Sequence, residues 1–342
     1  MTKVLYIGQC ELGSTSRMRF EVINQLTDNK VDLIDISQLI SSLNRIYKSI
    51  GWRFNAGPLV WKVNRAINQF LTLNELNFDL IWIDKGVFIY KEVLLKLKSR
   101  TTTILHYTPD TAFLANKSRY FVKGIHLYDF LITTKSFELD YYYKYVKKSR
   151  VIPLTQGYDP KVHFPRLDFF SKKDTITFVG LYEPYRAEIL NALLASGYKI
   201  VLGGIGWSKF LKSKTLQNDN ITFLGEKVVN EQYAMAISTS QFALGLLSKK
   251  FPELHTTRTF EIPACGTCLV TEENSEINSF FSDEECLKFK NINDLIQKLQ
   301  NLTANPSQLE LVTQKGYDRM RSENRDYPNQ ILEVFKIAIK NQ

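Results

Sequence analysis

Short apolar runs alternate along this chain with longer stretches in which apolar residues recur every three or four positions. In the first half the runs fall at residues 4–7, 31–36, 79–84, 102–107, 129–134 and 151–154. Each is short, bounded by turn residues and rich in Val, Ile, Leu and Tyr, as buried strands are. Helical spacing fills the gaps. Ser16 stands where a cap is needed for a helix carrying Met18, Val22, Ile23 and Leu26. Residues 37–75 read as mostly helical, with breaks expected at Gly51 and Gly57-Pro58. Residues 91–98 and 137–148 complete the set. The second half restarts the same alternation. Strands are expected at 175–179, 199–202, 221–224, 242–247, 268–270 and 286–289. Helices are expected at 184–195, 231–238, 257–265, 276–281, 293–302, 306–322 and 327–340. Asn291 or Asn293 caps the helix at 293–302.

Strand–helix alternation of this kind predicts an α/β protein with parallel, doubly wound sheets. Its 342 residues suit two domains of ordinary size. A turn-rich stretch from Gln156 to Pro165, then a polar one to Asp174, separates the halves. The expected division is 1–155, 156–325 and a last helix in 326–342.

Charge adds an asymmetry. Residues 1–155 hold 22 Lys and Arg against 13 Asp and Glu, whereas 156–342 hold 22 of each. The whole excess of +9 therefore belongs to the first half, which can attract nucleic acid, anionic lipid or an anionic substrate. Trp52, Phe54 and Trp61 lie in that basic half. Core packing is the first expectation for such aromatics, and a membrane interface is the alternative. No apolar run reaches the length of a membrane span. The first residues enter a strand without a signal-peptide layout, and four Cys do not make a disulfide framework, so a cytoplasmic protein is expected.

Candidate chemistry concentrates between Glu253 and Val270. Two carboxylates, Glu253 and Glu261, stand eight residues apart with Thr257 and Arg258 between them, and Gly266 is placed to end a short helix. In one continuous helix the two carboxylates would lie roughly 12 Å apart along the axis, too far to share a proton or a metal. Glu253 is therefore expected in the loop ahead of the helix and Glu261 on its first turns. An extended ligand would touch both, with a phosphate at the helix N-terminus. Elsewhere, Gly13 and Ser14 lie in a strand–loop–helix turn of the phosphate-facing type. His106 ends a strand, where open α/β sheets bind ligands. Gly180 opens a loop leading to Pro184 and Arg186, the latter on the first turns of a helix. Lys227 lies in a later loop. The run Gly203-Gly-Ile-Gly206 is not the dinucleotide fingerprint, because Lys209 occupies the last Gly position.

The segment His255-Thr-Thr-Arg-Thr-Phe-Glu-Ile-Pro-Ala-Cys-Gly266 resembles the donor-site motif of retaining GT-B glycosyltransferases, and within them the spore-maturation CgeB-like branch. The resemblance covers about residues 175–301. It implies two Rossmann-like domains facing across a cleft, an acceptor-side domain followed by a nucleotide-sugar domain, with the last helix crossing back. It implies sugar transfer from a nucleotide sugar to a glycan or lipid-linked acceptor, in cell-surface polysaccharide or glycoconjugate synthesis. By the same resemblance Glu261 holds ribose, and Glu253 and His106 face the sugar. Arg186 neutralises the diphosphate, aided by Arg258. Thr257, Gly180, Lys227, Gly13 and Ser14 complete donor binding. Neither metal nor cofactor is implied, and the sequence carries no Asp-x-Asp pair for a metal-bound diphosphate. The basic first domain would serve peripheral contact with an anionic membrane at its inner face.

Other chemistries find less. Cys265 and Cys268 lack a second pair for zinc. The four His show no two-His metal spacing, and no Gly-x-Ser-x-Gly elbow is present. The Tyr- and Lys-rich stretch 137–148 carries no RNA-binding motif, so no nucleic-acid partner is expected. Two alternatives share the fold: a nucleotide-sugar epimerase or hydrolase, and a non-catalytic GT-B-like binding subunit.

Overall fold

The computed structural model describes residues 2–212 and 219–339. Residue 340, expected at the end of the last helix, lies outside them. The chain forms two compact units, one of residues 1–155 with 327–342 and one of residues 156–326.

The first unit runs β1 (Val4–Gly8), α1 (Thr15–Leu26), β2 (Val31–Asp35), α2 (Ile36–Ser41), α3 (Arg45–Phe54), α4 (Pro58–Leu73), β3 (Phe78–Asp84), α5 (Lys91–Lys98), β4 (Thr101–Thr108), α6 (Arg119–Gly124), β5 (Phe130–Thr133), α7 (Leu139–Tyr143) and β6 (Val151–Pro153). Its six strands pair in parallel in the order β2-β1-β3-β4-β5-β6. The order reverses between β1 and β3, which makes the carboxyl ends of those two strands the topological switch point. β1 and β3 are buried almost end to end, as a sheet covered on both faces requires.

The second unit runs β7 (Lys173–Val179), α8 (Pro184–Ala195), β8 (Ile200–Gly203), α9 (Trp207–Lys212), β9 (Ile221–Phe223), α10 (Asn230–Ser238), β10 (Ser240–Leu244), α11 (Arg258–Ala264), β11 (Cys268–Glu272), α12 (Ser275–Phe280), β12 (Leu287–Phe289), α13 (Ile292–Thr303) and α14 (Pro306–Ser322). Its order is β12-β11-β10-β7-β8-β9, all parallel, with the switch between β7 and β10. A bridge between Tyr158 and Asp326 ties the start of this unit to its end. The chain then returns to the first unit as α15 (Tyr327–Ile339), which packs on α1 and β3.

Four local expectations need correction. Ser14, not Ser16, caps α1: its hydroxyl accepts from the Arg17 N–H, while Ser16 is buried beside the Tyr6 hydroxyl. Gly51 does not break a helix. It lies inside α3, where a Cβ would come within 2.5 Å of Leu59, so its missing side chain serves helix–helix contact. The helix expected over 137–148 shrinks to the five residues of α7. Trp52, Phe54 and Trp61 are all exposed rather than in the core.

Candidate functional site

The β7–β10 switch point brings together charged groups from several elements of the second unit. β7 ends at Val179-Gly180, and β10 is followed by Gly245, Leu246 and Leu247. Two arginines reach this edge from different helices. Arg186, on the first turn of α8, donates to the Leu181 carbonyl (3.0 Å) and the Leu246 carbonyl (3.3 Å). Arg258, the first residue of α11, donates to the same Leu246 carbonyl (3.1 Å) and approaches that of Val179 (3.5 Å). Both guanidiniums stand 5.8 Å from the buried Phe178 ring. Burial and the positive charge of Arg258 hold the Arg186 pKa below its ordinary value. Two like charges so close are unfavourable unless negative charge joins them. Each Nε is buried without a hydrogen-bond partner.

The loop between β10 and α11 is tied down. Asn274, which caps α12, donates to the Leu254 carbonyl (2.9 Å). His255 accepts from the Gln156 N–H at Nε2 (3.0 Å), which leaves Nδ1 as the donor to Glu276 (2.5 Å). Glu253, half-buried in this loop, acts electrostatically on Arg186. Glu261 lies in the first turn of α11, buried, with its carboxylate accepting the Tyr233 hydroxyl (2.7 Å) and His163 Nε2 3.8 Å away. Thr257 caps α11 from a helical backbone, and its carbonyl accepts the N–H groups of Phe260 and Glu261. The Thr259 N–H is likewise held by Thr256. These three N–H groups of the helix mouth are engaged within the turn itself.

Gly180 borders Arg258: a Cβ there would meet Phe178 and come within 3.5 Å of Arg258 Nη1. Its carbonyl accepts the Trp207 indole N–H (2.8 Å). Gly204 (φ +125°) brings the loop after β8 so close that a Cβ would stand 2.0 Å from the Gly180 oxygen. The glycines of Gly203–Gly206 thus serve loop-on-loop packing beside the site. Lys227 is exposed in the loop after β9, clear of the arginine pair's contacts.

In the first unit, Gly13 (φ +80°) and Ser14 form the turn between β1 and α1. His106 does not present its ring to a ligand. It is 1% exposed, packed on Phe121 and Tyr128, with Nε2 at the Lys85 carbonyl (3.0 Å). Burial pushes its pKa down to about 4. This placement gives it a packing role beneath the Lys85-Gly86 turn and corrects the expected sugar contact.

Sequence reasoning passed over four groups. Glu183 bonds Arg186 (3.3 Å) and accepts the Lys249 N–H (3.1 Å). Glu272, at the end of β11, accepts the Leu247 N–H (3.1 Å) and pairs with Lys249 (3.4 Å); burial raises its carboxyl pKa against the pull of Lys249. Tyr233 and His163 flank Glu261. The one signal was position: Glu272 and Lys249 follow strands β11 and β10 at their carboxyl ends. Among the described residues no three of His, Cys, Asp and Glu stand together as metal ligands, and no helix is long and apolar enough to cross a membrane.

Comparison with known proteins places this geometry. Residues 186–331, which include both arginines and both motif glutamates, match the family model described as glycosyl transferase-like. The fold is GT-B. No curated protein matches the chain in sequence. Among solved structures, sucrose-phosphate synthase from Thermosynechococcus elongatus superposes with a TM-score of 0.69 at 14% identity, covering 100% of each chain. Anabaena HepE in complex with UDP and glucose gives a TM-score of 0.67 at 13% identity, covering 98% of this chain and 100% of its own. A glycosyltransferase from Rickettsia africae gives 0.67 at 11%, covering 100% and 99%. At these identities the GT-B likeness concerns the fold.

Proposed function

We propose that the protein transfers a sugar from a nucleotide-sugar donor to a carbohydrate or lipid-linked acceptor, with retention and without a metal. The observation that carries this reading is the convergence of Arg186 and Arg258 on one carbonyl at the β7–β10 switch point. Glu183 offsets part of the charge on Arg186, and a diphosphate would supply further negative charge to the pair. As the glycosidic bond breaks, charge grows on the departing nucleoside diphosphate, and fixed guanidiniums stabilise it without reorganisation. Glu261, held by Tyr233, takes the ribose hydroxyls. Glu253 meets the sugar. Thr257 and Gly180 line the approach, and Lys227 lies toward the nucleoside end. The first unit, with Gly13 and Ser14 in its β1–α1 turn, presents the acceptor. HepE, crystallised with UDP and glucose, supports the choice of donor class, and the motif resemblance supports retention and the CgeB-like branch.

The test is a thermal-shift panel of UDP-, GDP-, ADP- and CMP-sugars in EDTA. A ligand that binds only the native state at 100 times its Kd adds about 2.7 kcal/mol. That raises the melting point of a unit this size by roughly 5–10 °C. One nucleotide class is expected to do so, and Arg258→Gln is expected to abolish the shift. No shift from any member of the panel, or turnover that needs added Mg²⁺ or Mn²⁺, sinks the reading.

A further inference from the structure

Residues 36–74 contain no Asp or Glu, yet hold Arg45, Lys48, Arg53, Lys62 and Arg65. This acid-free stretch is α2, α3 and α4, and it also carries large apolar side chains turned outward. α4 buries Leu59, Val63, Ile67 and Leu71 against the core of the first unit. Its opposite face is Trp61, Arg65, Gln69 and Leu73, spaced four residues apart and so aligned in one ridge. Trp61 is 72% exposed and Leu73 82%. The ridge is about 18 Å long by helical rise. A groove of about 450 Å³ runs along one side, between α4 and Leu39 and Leu43. A second of about 770 Å³ runs on the other side, toward Tyr90. In α3, Ile46 and Phe54 are also exposed, beside Arg45 and Arg53.

A core-facing role does not explain these side chains, because the core is complete beneath them. Solubility does not explain them either, since outward Trp, Phe, Ile and Leu work against it. Positive charge without a compensating carboxylate, interleaved with Trp and aliphatic tips, fits a surface that is anionic outside and apolar a few ångströms further in. We infer that the α3–α4 face of the first unit docks on an anionic lipid bilayer, with Trp61 and Leu73 entering the headgroup–acyl boundary and Lys62 and Arg65 meeting the headgroups. The grooves beside the ridge receive acyl or headgroup material displaced by the two apolar tips. This inference does not depend on the transferase reading, whose donor chemistry lies in the second unit.

The experiment is co-flotation of the full chain with vesicles of phosphatidylcholine alone and with about one-third phosphatidylglycerol. Each Lys or Arg near an anionic surface adds roughly fivefold to the partition coefficient. Binding is expected with anionic vesicles, weaker as salt rises, and absent with phosphatidylcholine. Neutralising Lys62 and Arg65 together, as Lys62→Gln and Arg65→Gln, is expected to weaken it about thirtyfold. Trp61→Ser with Leu73→Ser is expected to weaken it at least tenfold and to make the remainder fully salt-sensitive. All four positions lie outside the core, so the melting point serves as the control for folding. Equal recovery in the vesicle-free fraction with both lipid mixtures overturns the inference. So does undiminished flotation of both variants. Concentration-dependent dimerisation that Trp61→Ser abolishes, without flotation of the parent, assigns the face to a second copy instead.

Discussion

Tyr233 shows how the candidate site depends on one atom. Its ring packs in the second unit's core and against His163, and its hydroxyl donates to Glu261. Burial and the neighbouring carboxylate raise its pKa well above the usual phenol value, so the hydroxyl keeps its proton and remains a donor. Hydrogen bonds to charged groups contribute roughly 1.5–3 kcal/mol, and a buried group left unpaired costs about as much. Tyr233→Phe keeps the ring and removes that donor. Glu261 is then free to rotate away from the geometry that ribose requires. The expected outcome is a tenfold or greater loss of nucleotide affinity by calorimetry, with kcat reduced far less than the affinity. Affinity within twofold of the parent would separate Glu261 from nucleotide binding.

At the scale of elements, a buried ion pair joins α1 to β3, and the first residue of α15 packs against it. Arg19 of α1 donates to Asp84, the last residue of β3, from Nε (2.8 Å) and Nη2 (3.2 Å). The guanidinium lies 4.3 Å from the Tyr107 ring and 5.5 Å from that of Tyr327, which opens α15. The Tyr6 hydroxyl donates to the same carboxylate (2.9 Å). Farther along, Thr103 Oγ1 donates to the Ala338 carbonyl (3.1 Å). Removing one partner of a buried pair strands the other and costs about 3–5 kcal/mol, whereas removing both costs less than the sum. Arg19→Ala and Asp84→Ala are each expected to lower the denaturant midpoint of the first unit. The double variant should fall no further than the worse single. Additive losses would show that the pair does not act as one contact. The ion pair was not legible in the sequence, because Arg19 and Asp84 are 65 positions apart and neither sits in a motif; the return of the last helix to the first unit was expected. What was legible had a local cause. Pro184 and Pro306 fixed the starts of α8 and α14, and Gly266, in the left-handed region at φ +65°, ended α11. Apolar runs located the twelve strands of the described residues to within a few positions. Gly51 misled because a missing side chain reads alike as a break and as a close contact. Trp61 misled because periodicity gives a helix its faces but does not say which large side chain is left outside. In the site, Glu253, Arg258 and Glu261 were visible as one segment, whereas Tyr233, His163 and Glu272 reach it only through the sheet order.

For the molecule as a whole, buried thiols and one buried ammonium set the response to alkaline pH. In the second unit, Cys265, Cys268 and Cys286 are buried and unpaired by disulfide. Burial pushes the first two thiols up to about 12 and raises the third as well. Lys172 moves the other way: desolvation lowers its pKa to about 8, although it donates to the Ser238 carbonyl (2.5 Å) and Thr267 (3.2 Å). The signs follow from proton counting. Up to about pH 8.5 the unfolded chain still holds the Lys172 proton that the folded unit gives up, and few of its thiols have ionised, so stability rises with pH. Above about pH 9 the unfolded thiols ionise while the folded ones do not. Three protons retained against one released leaves the folded unit two protons ahead. Stability then falls by up to about 3 kcal/mol per pH unit, each proton contributing somewhat more than about 1 kcal/mol. Past pH 10 the raised phenols of Tyr158, Tyr185 and Tyr233 steepen the fall. Calorimetry under reducing conditions should therefore show the second unit's melting point highest near pH 8–9 and several degrees lower by pH 10.5. Lys172→Met removes the rise below pH 9, and Cys265→Ala with Cys268→Ala nearly abolishes the slope from pH 9 to 10, because the one thiol proton still retained then offsets the one ammonium proton released. A melting point that is level from pH 8 to 10.5 would mean that the thiols ionise in place, and that the core around α11 and β11 admits water to them.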